Sequence, residues 1–149
     1  MIRKGKMTDV PAIHGLVDFY ARKGDLLPRT LQELYERVMD FHVYERDGQI
    51  AGICSLVIYR PDLAEIRSLA VLPTYEGMGI GRAVTEACIA EARTLSIKRV
   101  FALTHKTAPF ERLGFRVVEK IDLPEKIWKD CFKCSRFYDC DEVAVLLDL

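Results

Sequence analysis

Hydrophobic and polar residues follow two different periods along this chain, and together they predict a mixture of helices and strands. Apolar residues spaced three and four apart predict amphipathic helices, whereas alternation and short apolar runs predict strands. In chain order the predicted elements are a strand in MIRKGKM, a helix capped by Thr8 and ended by Gly24, a helix capped by Thr30 and Glu33, strands in FHVYER and QIAGICSLVIY around the Asp47-Gly48 turn, a strand in LAEIRSLAVLP, a helix from Ile80 to Leu95, a strand in RVFALT, a helix in APFERLGF, and strands in FRVVEK and EVAVLLDL. The resulting order, β-α-α-β-β-β-α-β-α-β-β, favours an α/β sandwich around one mixed sheet.

Size, charge and cysteine content narrow the class of protein. The chain has 149 residues, which suits a single domain over residues 1–149 with a real hydrophobic core. Lysine plus arginine and aspartate plus glutamate both number 22, so the zero formal net charge argues against nucleic acid or a membrane as partner. Five cysteines and an N-terminus without an apolar export segment predict reduced thiols in a cytoplasmic protein. A homodimer is an assembly that the sequence permits.

Three glycines, Gly77, Gly79 and Gly81, stand between a predicted strand and a predicted helix. In such a turn several backbone N–H groups point to one spot, and the helix N-terminus adds about half a positive charge. The loop therefore suits a phosphate group. A Walker loop is excluded because Arg82 and Ala83 follow the last glycine, and the G-x-G-x-G spacing is not the G-x-G-x-x-G of a dinucleotide-binding loop. On spacing alone, close packing without a ligand explains these glycines equally well.

The residues around the glycines indicate one particular kind of phosphate-binding loop. The stretch LAVLPTYEGMGIGRAV resembles the coenzyme A loop of the GNAT family of N-acetyltransferases, and FERLGF resembles the family's second motif. The predicted element order also matches the family fold, so the resemblance covers nearly the whole chain. It implies acetyl-CoA as cosubstrate, with the pyrophosphate held by loop amides and the pantetheine arm paired with a strand beside a splayed neighbour. The cofactor-binding residues implied in this way are Leu69, Ala70, Val71, Gly77, Met78, Gly79, Ile80, Gly81, Arg82 and Phe110.

Two positions depart from the family pattern. Glu76 stands where the loop motif usually has glutamine or arginine, and a carboxylate there repels a pyrophosphate. We therefore expect Glu76 to point to solvent and Arg82 to supply a cation, although an exposed first-turn helix residue is the alternative for Arg82. Phe110 stands where the family often has a tyrosine that protonates the leaving thiolate. Because phenylalanine has no proton to give, the ammonium's own proton or a water would have to serve.

Acetyl transfer to an amine needs a base, since an alkyl amine is mostly protonated at neutral pH. Glu65 lies four residues before Leu69, in an Ala-Glu-Ile sequence that resembles the site of the glutamate base in the histone-acetylating branch. Alternation puts Glu65 and Arg67 on one face of the strand, and a surface ion pair between them is the alternative. His105, just past the strand RVFALT, is the second acid–base candidate, with a plain surface histidine as its alternative.

Within the family, the closer resemblance is to N-acetylglutamate synthase in its short form, without an amino-acid-kinase domain. It is carried by LLPRTLQELYERVMDFHV, AEIRSLAV, FALT with FERLGF, and LPEKIWKDC. It implies L-glutamate as acceptor and a step of arginine biosynthesis. Arg29, Arg67 and Lys126 would then hold the substrate carboxylates; local capping by Arg29 and an Arg67–Glu65 pair are the alternative. A different amine, such as a polyamine, an aminoglycoside or a protein lysine, and a non-catalytic acyl-CoA sensor are the alternative functions.

Cys131, Cys134 and Cys140 form a C-x2-C-x5-C cluster before the last predicted strand. Three thiolates at this spacing could hold a structural zinc ion or a cluster, with a fourth ligand from elsewhere. The spacing lacks a second C-x2-C pair, so three reduced thiols packed among aromatic residues are the alternative, and we assign no metal. Cys54 and Cys88 fall on apolar faces of a strand and a helix, and both are expected in the core.

Overall fold

The computed structural model describes residues 1–123 and 141–149. These residues contain seven strands, β1 (Ile2–Lys4), β2 (Phe41–Arg46), β3 (Gln49–Arg60), β4 (Leu63–Val71), β5 (Arg99–Thr104), β6 (Arg116–Val118) and β7 (Val143–Asp148). The α-helices among them are α1 (Val10–Arg22), α2 (Leu31–Glu36), α3 (Ile80–Thr94) and α4 (Ala108–Glu111). Within the described ranges this order of helices and strands is the predicted one, and the α/β class with a mixed sheet is confirmed.

The seven strands form one sheet in the order β1-β2-β3-β4-β5-β7-β6. Every neighbouring pair is antiparallel except β4 and β5, which are parallel and are connected through α3. The last strand, β7, lies between β5 and β6, so the chain returns to the middle of this half of the sheet. Because β4 and β5 are parallel, their carboxyl ends and the loops that follow them meet at one edge of the sheet.

Helices cover both faces of the sheet, and each face has its own hydrophobic core. On one face α1 and α2 pack on β2, β3 and β4 through a cluster that includes Ile13, Leu34 and Phe41. On the other face α3 and α4 pack through a cluster that includes Val84 and Phe110. The predicted core cysteines belong to this second cluster, since Cys54 and Cys88 are completely buried there.

Local capping agrees with the sequence at some helix ends and differs at others. The hydroxyl of Thr30 accepts a hydrogen bond from the backbone N–H of Glu33 at 3.0 Å, as predicted, but the Glu33 carboxylate bonds Arg29. The prediction of a Thr8 cap is wrong, because a 3-10 turn over Met7–Asp9 precedes a helix that begins at Val10. The helix predicted from Ile80 to Leu95 ends one residue earlier, at Thr94, and Leu95 is exposed.

Arg3 fixes the start of α1 to the sheet. Its guanidinium donates two hydrogen bonds to the buried carboxylate of Asp9, at 2.7 and 3.0 Å, and a third to Glu45 on β2. The Asp9 carboxylate also accepts a hydrogen bond from the backbone N–H of Lys6 at 2.8 Å. The hydrogen bond from Arg3 is the main reason that the pKa of Asp9 is lowered, although burial opposes this shift.

The Asp9→Asn variant should lower the free energy of unfolding at pH 7 by about 2 kcal/mol, because a buried charged hydrogen bond is weakened while the Lys6 bond is kept. Asp9 has a lower pKa in the folded protein, so its contribution is complete above the unfolded value of about 3.9. It is lost as the pH falls through the folded value. Urea unfolding between pH 7 and pH 3 should show the difference from wild type shrinking with acidity.

Asp148→Asn is a suitable control for this experiment, since Asp148 forms an ion pair with Arg116 in which both side chains are largely exposed. We expect it to change the unfolding free energy by less than about 1 kcal/mol. A difference between wild type and Asp9→Asn that stayed constant over the whole pH range would contradict the proposed linkage.

Candidate active site

The site is built around the point where β4 and β5 separate. The two strands pair only at Ala64 with Val100 and at Glu65 with Phe101, and beyond these positions no pair joins them in the described residues. The rest of β4 therefore presents a strand edge to a gap. This gap is the one that the family resemblance predicted beside the pantetheine-binding strand.

A β-bulge interrupts β4 within this edge. The register with β3 advances from Ser55 opposite Arg67 to Ile53 opposite Ala70, so β4 contains one extra residue. Ser68 has a φ of 55°, in the left-handed region that non-glycine residues rarely occupy. The hydroxyl of Ser55 donates to the carbonyl of Arg67 at 2.7 Å. A bulge bends its strand, and this one lies just beyond the last pair of β4 with β5, at Glu65.

The glycine loop follows β4 and leads directly into α3. Gly77 and Gly79 have φ values of 79° and 80°, and Gly79 is the N-cap of the helix. A Cβ at either glycine would meet nothing within 4 Å, so the backbone conformation and not crowding requires glycine here. At Gly52 the reverse holds, because a Cβ would overlap the side chain of Ile80. The bare backbone of β3 thus lets the N-terminus of α3 pack close to the sheet.

Glu65 is 2% exposed, although it is a carboxylate. Ala64 and Ile66 pack into the α3 core, so Glu65 and Arg67 face the opposite side of the sheet, as predicted. Tyr59 donates its hydroxyl to Glu65 at 2.8 Å. Tyr59 is the extra residue of a second register shift, between Ile58 and Arg60 of β3, and its ring packs against Phe101.

Arg29 reaches from the start of α2 to the bulge of β4. Its side chain is 2% exposed, it donates to Glu33 at 3.1 Å and to the Ser68 hydroxyl at 3.3 Å, and it lies over the ring of Phe41. Burial lowers the pKa of the Arg29 guanidinium, and the nearby positive charge of Arg67 lowers it further. Two guanidinium groups therefore lie near each other on the same face of the sheet as Glu65.

Other predicted residues have neighbours that the sequence did not indicate. Glu76 is exposed as expected, but its carboxylate accepts a hydrogen bond from Tyr20 at 3.0 Å and is not simply directed to solvent. Arg82 forms an exposed ion pair with Glu86 one turn later. Phe110 is buried in the α3 core with its ring edge-on to Phe115.

His105 follows β5 at the edge of the sheet to which β4 also leads. Its Nε2 lies 2.7 Å from a carboxylate oxygen of Asp141. Lys126 and the cluster of Cys131, Cys134 and Cys140 lie outside the described residues. Within residues 1–123 and 141–149 no group of histidine, cysteine or acidic side chains could hold a metal ion. The same residues contain no helix of the length and apolarity that a membrane span requires.

The sequence matches the Acetyltransferase (GNAT) family over residues 14–115, a stretch that includes β4, the glycine loop and α3. The chain belongs to the GNAT family. As a GNAT enzyme it is an acetyl-CoA-dependent N-acetyltransferase. The edge of β4 and the glycine loop remain the predicted coenzyme side. A non-catalytic sensor, the alternative left by the sequence, is not supported by the enzymes that it resembles.

The chain is also similar to individual N-acetyltransferases in sequence and in structure. An uncharacterised N-acetyltransferase of Chlorobaculum tepidum is 37% identical over 148 residues, which cover 99% of this chain and 96% of the relative. An amino-acid acetyltransferase of Mycobacterium tuberculosis is 40% identical over 152 residues, covering 100% of this chain and 84% of the relative. N-acetylglutamate synthase of Neisseria gonorrhoeae, solved with coenzyme A and N-acetyl-glutamate, matches with a TM-score of 0.89 at 30% identity. All of this chain is covered in that match, but only 35% of the larger synthase.

Sequence reasoning missed three residues of this site. Ser68 carried no sign of a bulge, because serine does not mark a left-handed position as glycine does. Tyr59 and Tyr20 stood among other apolar residues of predicted strands and helices. Their hydroxyl partners, Glu65 and Glu76, are set by the register of β3 and by the packing of α1.

Gly79→Glu should abolish coenzyme A binding, because its side chain would bring a negative charge to the N-terminus of α3, where the phosphate groups are expected. Gly79→Ala is the matched control, since both variants carry the strain of a left-handed residue, about 1–2 kcal/mol. Equal thermal stability of the two variants, with much weaker calorimetric binding by Gly79→Glu alone, is the expected result. If Gly79→Glu bound coenzyme A as well as Gly79→Ala did, the loop would be only structural.

Proposed function

We propose that this GNAT enzyme transfers the acetyl group to the α-amine of an acidic amino acid, with L-glutamate as the acceptor and arginine biosynthesis as the setting. The observation that carries the proposal is the buried guanidinium of Arg29 at the β4 bulge, within electrostatic reach of Arg67. Two nearby cations on one face of a sheet are unfavourable alone and favourable with an anion between them. A polyamine or another cationic amine would be repelled there.

The geometry of the groups suits carboxylates in particular. A guanidinium can hold a carboxylate through two parallel hydrogen bonds, which an ammonium group cannot do. Glutamate carries two carboxylates, so Arg29 and Arg67 could fix both ends of the substrate and leave its amine free. Lys126, which lies outside the described residues, stays a third candidate on the basis of the sequence alone.

Glu65 is proposed as the general base. Its carboxylate shares a sheet face with Arg67 and lies on the last rung before β4 and β5 separate. In the reaction the base takes a proton from the substrate ammonium, the amine nitrogen forms a bond to the acetyl carbon, and the C–S bond breaks to release coenzyme A as thiolate. The second proton, which the nitrogen loses as the amide forms, goes to that thiolate directly or through a water. His105, held against Asp141 beyond the end of β5, is the second acid–base candidate, since Phe110 cannot protonate the thiolate.

Similar proteins support this choice of acceptor. The Mycobacterium tuberculosis relative is an amino-acid acetyltransferase, and the Neisseria gonorrhoeae synthase was solved with N-acetyl-glutamate. The identities are 40% and 30%, and the chain matches only about a third of the Neisseria protein. The regulation of that larger enzyme is therefore not carried over.

Glu65→Gln should reduce kcat by about 10²- to 10⁴-fold at pH 7, because the substrate ammonium loses its base. Calorimetric coenzyme A affinity should not change. The activity of the variant should recover in part as the pH approaches the pKa of the amine itself, which a purely structural defect would not allow. Glu36→Gln, an exposed change on α2, is the control and should retain wild-type kcat. Wild-type kcat in Glu65→Gln would remove Glu65 from the mechanism.

Arg67→Lys and Arg29→Ala should each raise the KM for L-glutamate by about 10-fold or more, because each removes a two-point contact with a carboxylate. The KM for L-glutamine, which has one carboxylate fewer, should rise less in one of the two variants. Arg116→Lys, at an exposed pair on the β6 edge, is the control and should leave KM unchanged. Circular dichroism checks that Arg29→Ala, a buried change, remains folded, and Arg29→Lys provides a second variant at that position.

A substrate screen separates the acceptor assignment from the family assignment. Wild-type enzyme with acetyl-CoA is given L-glutamate or spermidine, and thiol release is measured. Faster turnover of glutamate is expected from the two arginines. Faster turnover of spermidine would overturn the glutamate proposal and leave the GNAT acetyltransferase activity intact.

A further inference from the structure

Tyr20 links α1 to two points on the coenzyme side of the molecule. Its hydroxyl lies 2.6 Å from the carbonyl oxygen of Val71, at the end of β4, and 3.0 Å from a carboxylate oxygen of Glu76. Glu76 is the residue immediately before Gly77 and is exposed. One side chain thus contacts both the strand edge and the entrance of the glycine loop.

The hydroxyl of Tyr20 has one proton, and both of its neighbours are acceptors. Burial, together with the negative charge of Glu76, raises the pKa of Tyr20 to about 12. The phenol therefore keeps its proton at any pH at which the enzyme would be assayed. Throughout this range its one proton is shared between the Val71 carbonyl, the nearer acceptor at 2.6 Å, and the Glu76 carboxylate at 3.0 Å.

The position of Tyr20 is fixed by its own surroundings on α1. Its ring packs edge-on against Phe19 at 5.0 Å, and the ammonium group of Lys23 lies over both rings. The aromatic body of Tyr20 also packs on the core between α1 and the sheet. The hydroxyl is thus presented to Glu76 from a rigid helix and not from a mobile loop.

A carboxylate at position 76 is a problem for a phosphate-binding loop. It repels the incoming pyrophosphate. It is also an anion itself, one residue away from N–H groups and a helix N-terminus that attract anions. Left to move, it could occupy the place of the coenzyme. A hydrogen bond from α1 would hold it to one side.

We propose that Tyr20 is a positioning residue for coenzyme binding, which holds the Glu76 carboxylate against α1 and away from the pyrophosphate site of the glycine loop. The GNAT loop of this chain can then carry a negative charge at its first position. The role concerns the affinity for coenzyme A and is independent of the acceptor amine.

A double-mutant cycle tests the proposal, with coenzyme A affinity measured by calorimetry. Tyr20→Phe should weaken binding about 5-fold at low salt, the effect of a released charge near the phosphates. The same change in a Glu76→Gln background should weaken it by less than about 2-fold, because no carboxylate is left to be released. The loss of the Val71 contact is common to both backgrounds and cancels in the difference between them. Tyr35→Phe is the control, since its hydroxyl makes no hydrogen bond among the described residues.

The salt dependence of coenzyme A affinity distinguishes this electrostatic role from a loss of packing. At about 1 M salt the Debye length falls to about 3 Å, so the Tyr20→Phe defect should largely disappear. Glu76→Asp shortens the side chain by one methylene, so its carboxylate no longer reaches the phenol, and it should weaken coenzyme A binding as Tyr20→Phe does. It replaces Tyr20→Phe in the test if Tyr20→Phe does not fold. A Tyr20→Phe defect of equal size in both backgrounds, or one that salt leaves unchanged, would overturn the proposal, as would wild-type affinity in Tyr20→Phe.

Discussion

A serine in the left-handed region of the backbone interrupts β4 in mid-strand, and the whole site depends on it. The extra residue at Ser68 shifts the register of β4 against β3 and bends the strand just beyond its last pair with β5. Beyond that pair the strand has an open edge, which is the predicted binding edge for the coenzyme. The same bulge directs the Ser68 hydroxyl toward Arg29, so one backbone irregularity organises both the coenzyme side and the proposed acceptor side.

The two faces of the sheet carry different kinds of side chain near the candidate site. The face under α3 is an apolar core that fixes the helix whose N-terminus begins at the glycine loop. The opposite face carries the buried carboxylate of Glu65, which accepts a hydrogen bond from Tyr59, and the buried guanidinium of Arg29 near the bulge. Buried charges are unfavourable for stability unless they are hydrogen-bonded, and both Glu65 and Arg29 have hydrogen-bond partners here.

Local signals in the sequence predicted most of the fold. The Asp47-Gly48 turn has positive φ at both residues, and Gly24 and Gly114 follow helix ends in left-handed conformations, as their residue types indicated. The glycine loop was recognisable because its chemistry is local. Bulges and hydroxyl contacts were not predictable, since they depend on the register of strands far apart in sequence. The insertion of β7 between β5 and β6 is likewise a long-range arrangement that periodicity does not encode.

The two rungs between β4 and β5 make the sheet two half-sheets joined by a narrow seam. Side chains under α3 pack together across this seam, and among them Ile66 belongs to one half of the sheet and Ala102 and Val145 to the other. A pantetheine arm paired with β4 would act as a missing strand and close this seam. Because only the folded chain offers that edge, coenzyme occupancy would add to stability in proportion to the logarithm of its concentration. Cellular coenzyme levels would then influence the lifetime of the enzyme as well as its rate.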